Sequence, residues 1–291
     1  MNINSSEKNL PPSLQIPKFV KYIAKILRFF SNKLAILYTA KLFVTPFNYS
    51  TPNREKAMDE SSQKKTLFVP SINKNIHILS YGFSDKKVLL AHGWAGRRTQ
   101  LFMIANKLLE KGFMVISFDG PSHGKSPGKE TNLIEYIETI KEINKEFGSF
   151  EAAVGHSFGS MAIMNAQAKK KIFNCIVTVG SGDKVSDILI NFSKSLGLDV
   201  EFGKKLINHF EKKWKIKLVN YNTNVAAKKI KIPALIVHDA IDGDVNVSCA
   251  INIRQNLKHG KLYITNGLGH TKILRDQKTS NKIVDFIIEN T

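Results

Sequence analysis

Gly155-His156-Ser157-Phe158-Gly159 follows the small-residue run Ala152-Ala153-Val154 and leads into Ser160-Met161-Ala162-Ile163-Met164, which has helical patterning. A strand, a glycine-flanked serine and a helix in that order form a sharp turn that presents a hydroxyl at the carboxyl end of the strand. Such a turn is strained and needs small residues two before and two after the serine, where backbones approach each other, and Gly155 and Gly159 fill those places. Ser157 then stands at a helix N-terminus, so the N–H of Phe158 points at negative charge developing on a neighbouring oxygen. The chemistry on offer is attack by Ser157 on an acyl carbonyl, provided a base takes its proton. A glycine-flanked serine by itself is an ordinary turn; the strand before it and the helix after it separate the two readings.

A base has to come later in the chain. In this type of site nucleophile, acid and histidine follow one another, the acid and the histidine each at the carboxyl end of a strand. Leu262-Tyr263-Ile264-Thr265 runs into Asn266-Gly267-Leu268-Gly269-His270, and of the eight histidines His270 has that address. His77, His209 and His259 lack such a context, and His156, beside the serine, reads as a local packing or hydrogen-bonding residue. For the acid, Asp239, Asp242 and Asp244 compete in the loop after Ala234-Leu235-Ile236-Val237-His238, and Asp183 waits after the preceding strand. His238 with these aspartates could suggest a metal, but no ligand spacing on one helical face supports it, and carboxylates beside a catalytic histidine are expected; no metal is expected. Upstream, Val88-Leu89-Leu90-Ala91 ends in His92-Gly93-Trp94-Ala95-Gly96, a loop able to supply a second N–H to the same oxygen.

HGWAG, then Phe118-Asp119-Gly120-Pro121-Ser122-His123-Gly124-Lys125-Ser126, then GHSFG resemble in order and spacing the core motifs of α/β-hydrolase esterases and related serine hydrolases. The resemblance runs from about Leu67 to the C-terminus. It implies that Trp94 gives the second oxyanion N–H beside that of Phe158, and that His92 and His123 brace loops. It also implies an acid in a D-x-x-V-P loop, which selects Asp242 with Val245, although Asn246 stands where proline is usual. The expected catalytic set is therefore Ser157, Asp242 and His270, acting without a cofactor. A serine nucleophile disfavours the dehalogenase and epoxide hydrolase branches of the fold. Hydrolysis of a carboxylic ester through an acyl-enzyme is the first expectation, with a thioesterase or acyltransferase on the same triad behind it. A non-catalytic ligand-binding or membrane-binding protein of this fold is the rival from another class, and the complete Ser, Asp and His set argues against it.

The elements that must carry these residues alternate short strand-like runs with longer helical ones, the pattern of a mostly parallel sheet covered by helices. Strands are expected at Leu67–Pro70, Ile76–Ser80, Val88–His92, Met114–Asp119, Ala152–Gly155, Cys175–Gly180, Ala234–His238 and Leu262–Thr265. Helices are expected near Thr99–Glu110, Leu133–Phe147, Phe158–Lys171, Ala250–Leu257 and Lys278–Glu289. Between 181 and 232 the alternation gives way to a Lys-rich helical stretch, read as a cap inserted between 66–180 and 233–291. Its apolar residues, Leu189, Phe192, Phe202, Leu206, Phe210 and Trp214 among them, suit the cover of an apolar acyl pocket or plain packing.

Residues 1–65 read as a polar tail, an amphipathic helix ending near Pro46, and a linker over 50–65. In the helix Phe19, Ile23, Ile26, Phe30, Leu34 and Leu37 form one stripe and Lys18, Lys21, Lys25, Arg28 and Asn32 the other. Packing of the apolar stripe on the catalytic domain is the expectation, with weak peripheral contact to an anionic membrane as the alternative. Residues 1–13 lack the pattern of a signal peptide, and charged residues break every stretch long enough to span a bilayer. Lys and Arg number 43 against 24 Asp and Glu, a charge of +19. The excess is diffuse and joined to no nucleic-acid motif, so the expected partner is a small acyl substrate and not nucleic acid. Two cysteines, Cys175 and Cys249, form no cluster, which favours a reducing, cytoplasmic setting.

Overall fold

The computed structural model describes Leu10, Pro12 and residues 15–291; the polar tail expected over 1–13 lies, apart from Leu10 and Pro12, outside the described residues. Eight strands form one sheet: β1 (Gln63–Val69), β2 (Lys74–Tyr81), β3 (Lys87–Ala91), β4 (Met114–Phe118), β5 (Phe150–His156), β6 (Phe173–Val179), β7 (Ala234–Asp239) and β8 (Gly260–Thr265). Their order is β1-β2-β4-β3-β5-β6-β7-β8. β1 and β2 are antiparallel to their neighbours, and from β4 through β8 every pairing is parallel. The residue types follow from position. All six residues of β7 are buried, as a central parallel strand covered on both faces requires, whereas the edge strand β8 is half-exposed throughout.

The helices are α1 (Lys18–Phe30), α2 (Asn32–Val44), α3 (Asn53–Glu60), α4 (Phe102–Glu110), α5 (Leu133–Phe147), α6 (Phe158–Lys169), α7 (Val185–Ser195), α8 (Val200–Trp214), α9 (Thr223–Ala227), α10 (Ser248–Gln255), α11 (Gly269–Lys272) and α12 (Gln277–Ile288). α5 shows how sequence makes such an element. The Asn132 side chain accepts the N–H groups of Ile134 and Glu135, and Tyr136, Ile137, Ile140 and Ile143 bury one face. α5, α6, α9 and α10 close one side of the sheet, and α4 and α12 the other. Each expected strand and each expected helix of the α/β-hydrolase pattern is present, with ends displaced by a few residues.

The interval 181–232 holds α7, α8 and α9 between β6 and β7. Leu189, Leu206 and Phe210 of this segment pack with Met161 of α6 and with Ala40 and Val44 of α2, so the N-terminal helices and the cap share a core.

Three expectations for residues 1–65 are corrected. The entry helix is two helices, broken at Ser31, whose extended backbone lets its hydroxyl accept the N–H of Leu34. The supposed linker contains α3 and the start of β1. The apolar stripe does not pack on the domain: Val20, Ala24 and Leu27 face Leu196, Leu198 and Phe202 of the cap, while Phe19, Ile23, Ile26, Phe30, Leu34 and Leu37 are exposed. Ala24 and Ala35 are fully buried, and small side chains there allow the close helix approach that the bulky stripe would prevent. Arg28, from the basic stripe, lies 3.8 Å from Asp199 and over the Phe202 ring. Among the described residues, no helix is long and apolar enough to cross a membrane.

Candidate active site

Ser157 separates β5 from α6 with φ 49° and ψ −112°, a left-handed backbone that costs a non-glycine residue about 1–3 kcal/mol. Its surroundings force that conformation. A Cβ on Gly155 would lie 2.6 Å from the Ser160 backbone, and one on Gly159 would lie 2.3 Å from the Ala91 carbonyl oxygen, so neither position admits a side chain without moving main chain. The Ser157 N–H donates to the Val179 carbonyl at 2.8 Å, tying the turn to the end of β6. Phe158, the first residue of α6, has an N–H that the helix cannot satisfy internally.

Across the sheet end, His270 opens toward this turn from α11. Its ring packs on that of His156 at 4.7 Å between centroids, and the His156 Nε2–H donates to the His270 carbonyl at 2.9 Å. His156 thus bridges to the loop after β8 rather than bonding locally, which spacing along the chain could not reveal. Gly180, one residue beyond the Val179 that holds Ser157, passes so close that a Cβ would sit 3.1 Å from the His270 ring. The ends of β5, β6 and β8 therefore meet at one spot.

Of the four competing carboxylates, Asp242 meets the His270 ring directly, its Oδ2 lying 2.7 Å from His270 Nδ1. Its Oδ1 accepts the N–H groups of Asp244 at 2.8 Å and Val245 at 3.0 Å. Burial alone would raise the Asp242 pKa, but the hydrogen bond and charge of His270, helped by those two N–H groups, hold it below the ordinary carboxylate value. Asp239 is otherwise engaged: it accepts Thr265 Oγ1 at 2.7 Å and the Leu268 N–H at 3.0 Å, and so ties the end of β7 to the loop that carries His270. Asp183 binds the side-chain amide of Asn252. His238 is buried and donates from Nε2 to the Val245 carbonyl at 2.8 Å; burial lowers its pKa, which keeps it a neutral brace of the acid loop.

Asp242, Asp244 and His270 offer ligand atoms within 4.8 Å of one another, the one group among the described residues with the spacing of a cation site. Both Asp242 oxygens already accept short hydrogen bonds, one of them from the imidazole, so the donor set matches an acid–imidazole pair better than a metal cage.

The Trp94 loop is held by long-range contacts. His92 is fully buried, with Nδ1–H donating to the Gly93 carbonyl at 2.7 Å and Nε2 accepting the Gly120 N–H at 2.8 Å, and burial holds its pKa at about 4. The Tyr136 hydroxyl donates to the His92 carbonyl at 2.9 Å. Trp94 sits edge-on to Phe158 and to His123, each at 5.2 Å, and His123 donates from Nδ1 to the Pro121 carbonyl.

Sequence reasoning missed the groups that hold this loop from afar. Phe43 of α2 stacks on Trp94 at 6.4 Å and meets Phe192 and Phe210 of the cap, roofing the site. Glu55 of α3 is buried, grips Arg97 through two hydrogen bonds of 2.7 and 2.9 Å, and accepts Thr99 Oγ1 at 2.7 Å. Asp119 accepts both the N–H and the guanidinium of Arg98 at 2.7 Å, locking the Trp94 loop to the turn after β4. The adjacent arginines Arg97 and Arg98, right after a glycine loop, were the only signal in the sequence that buried carboxylates lay nearby.

The family described as the alpha/beta hydrolase fold matches residues 86–231. A comparison with curated proteins found no match. Among solved structures, the esterase Pf2001 of Pyrococcus furiosus is similar over 84% of this chain and 99% of its own, at 18% identity and a TM-score of 0.67. An esterase of Exiguobacterium antarcticum covers 78% of this chain and 100% of its own, at 16% identity and a TM-score of 0.61. A monoacylglycerol lipase of Paleococcus ferrophilus covers 74% of this chain and 99% of its own, at 19% identity and a TM-score of 0.59. The family match spans half of the chain and takes in both the Trp94 loop and the serine turn, on a sheet that carries that turn at the end of β5: the chain belongs to the alpha/beta hydrolase fold family.

Proposed function

We propose that this protein is a serine hydrolase that cleaves a carboxylic ester through an acyl-enzyme. The observation that carries the reading is the 2.7 Å contact of His270 Nδ1 with Asp242 Oδ2, made by a histidine whose ring packs on the residue preceding Ser157. With Nδ1–H bound to Asp242, the lone pair of His270 is on Nε2, the nitrogen needed to accept the Ser157 proton. Ser157 Oγ attacks the ester carbonyl, and the N–H groups of Trp94 and Phe158 hold the resulting oxyanion. The imidazolium returns the proton to the departing alcohol, and water resolves the acyl-enzyme by the same base. Asp242, kept ionised, stabilises the cation while it exists. Neighbours of the same fold that are called esterases and a lipase make the ester the first substrate class to try.

A fluorophosphonate probe labels a serine only where a base has activated it. Wild-type protein is expected to label and to hydrolyse short p-nitrophenyl esters, and Ser157→Ala to do neither while melting within a few degrees of wild type. Labelling that survives Ser157→Ala places the nucleophile elsewhere.

A further inference from the structure

The outward face of α1 is the least expected surface of the molecule. Phe19 and Tyr22 are 66% and 67% exposed, Phe29 and Phe30 are 84% and 77% exposed, and Ile23 and Ile26 lie between them on the same side. α1 keeps its place through its other face, on α2 and the cap, so these rings are left outside by the packing and not by loose attachment. Leu34 and Leu37 of α2, about half exposed, add to the apolar surface of the helix pair. Folded proteins rarely leave a patch of this kind uncovered without a partner.

Charge selects the partner. Between Glu7 and Glu55 the chain has no acidic residue, while Lys18, Lys21, Lys25 and Lys33 fall on these two helices or at their ends; Arg28 and Lys41 lie there too but pair with Asp199 and Glu130 of other segments. At 3.6 residues per turn Lys18 and Lys25 border the apolar arc beside Tyr22 and Phe29. A second copy of the chain, apposed on this face, would bring like charges together inside a molecule of net charge +19. An apolar, aromatic arc fringed by lysine instead matches the boundary between acyl chains and anionic headgroups. We infer that the outer face of α1, with Leu34 and Leu37, docks on an anionic lipid bilayer. Lying flat, α1 inserts its rings at headgroup depth and its lysines meet the phosphates. The same helix pair carries Phe43 against Trp94, so docking brings the roof of the candidate site to the lipid surface. On the reading that Ser157 cleaves acyl esters, the substrate class becomes an acyl ester supplied from the bilayer.

The test separates docking from catalysis. Full-length Ser157→Ala, which cannot alter the lipid, is co-sedimented with vesicles of equal parts phosphatidylglycerol and phosphatidylcholine, and with phosphatidylcholine alone. Binding to the anionic vesicles is expected, to be weakened several-fold by raised salt, and to fall about tenfold or more with Phe29→Glu plus Phe30→Glu. The same two substitutions made with Ser157 intact should leave the melting temperature and the turnover of a water-soluble ester unchanged, because both rings are exposed and belong to α1, which contributes no residue to the candidate site. Equal sedimentation of both proteins overturns the inference, as does equal binding to the uncharged vesicles. It is also overturned if wild type is a dimer that the double variant renders monomeric, with no vesicle binding. Docking without ester turnover would sink the proposed hydrolysis alone and leave the membrane surface standing.

Discussion

Replacing Asp242 by asparagine isolates what the acid contributes, because the new side chain has nearly the same shape and a forced orientation. Asp242 Oδ1 accepts two backbone N–H groups, from Asp244 and Val245. An amide placed there must turn its oxygen toward those donors, since the opposite orientation would set NH₂ against N–H twice. Its NH₂ then faces His270 Nδ1 at about the 2.7 Å now occupied by the carboxylate. Two donors cannot share that contact, so the imidazole takes the tautomer with its proton on Nε2, and the nitrogen that should receive the Ser157 proton has none to accept it with. Loss of the orienting acid in a Ser-His-Asp triad costs about 10³ to 10⁴ in turnover, or about 4–5.5 kcal/mol of transition-state stabilisation. The assay is p-nitrophenyl ester turnover together with fluorophosphonate labelling rate, run beside Asp239→Asn, Asp244→Asn and Asp183→Asn. Those three should lose far less, Asp239→Asn mainly in stability, since it holds the loop of His270 through Thr265 and Leu268. An Asp242→Asn enzyme within tenfold of wild type, or an Asp183→Asn enzyme that is the crippled one, refutes the assignment.

Two further outcomes concern stability. Glu55→Ala leaves the Arg97 guanidinium, only 14% exposed, without its bidentate partner, and should destabilise by about 3 kcal/mol or more in urea unfolding; a change under about 0.5 kcal/mol would mean that α3 does not anchor the Trp94 loop. The buried rings of His92, His123 and His156 are held at about 4, 3 and 3, below the ordinary 6.5, chiefly by desolvation. Below pH 6.5 the unfolded chain therefore binds up to three protons that the folded chain refuses, so stability falls with acid, by about 4 kcal/mol near pH 5.5. A urea midpoint that stays level from pH 7 to 5 would contradict this. Asp242, with its pKa depressed, adds stability above the ordinary carboxylate range that is lost only at lower pH.

The parts legible in the sequence are those fixed by local rules. Ala152-Ala153-Val154 before Gly155 and the helical run after Gly159 can hardly be anything but a strand, a tight turn and a helix, and the buried parallel strands announce themselves because both faces must be apolar. His270 is placed by its position after the last strand, the edge strand β8. What stayed hidden depends on partners far along the chain. The amphipathicity of α1 shows that its two sides differ, but which side meets protein was decided by Ala24 and Ala35 and by an aspartate in the cap, Asp199. Glu55 looked like one more charge in a polar stretch, and its burial depends on Arg97, 42 residues later. Phe43 roofs Trp94 only because the cap holds it there, and no periodicity encodes that contact.

The shared core of the N-terminal helices and the cap also has a consequence for biosynthesis. α1 and α2 emerge from the ribosome well before α7 and α8, whose Leu189, Leu206 and Phe210 cover the inner side of α2. Until then both sides of this helix pair are bare, an adhesive stage for which a chaperone, or an early membrane contact, would be a natural remedy. His270 is translated after Ser157 and Asp242, so on the proposed mechanism the nascent chain carries its serine turn long before it has a base to arm it.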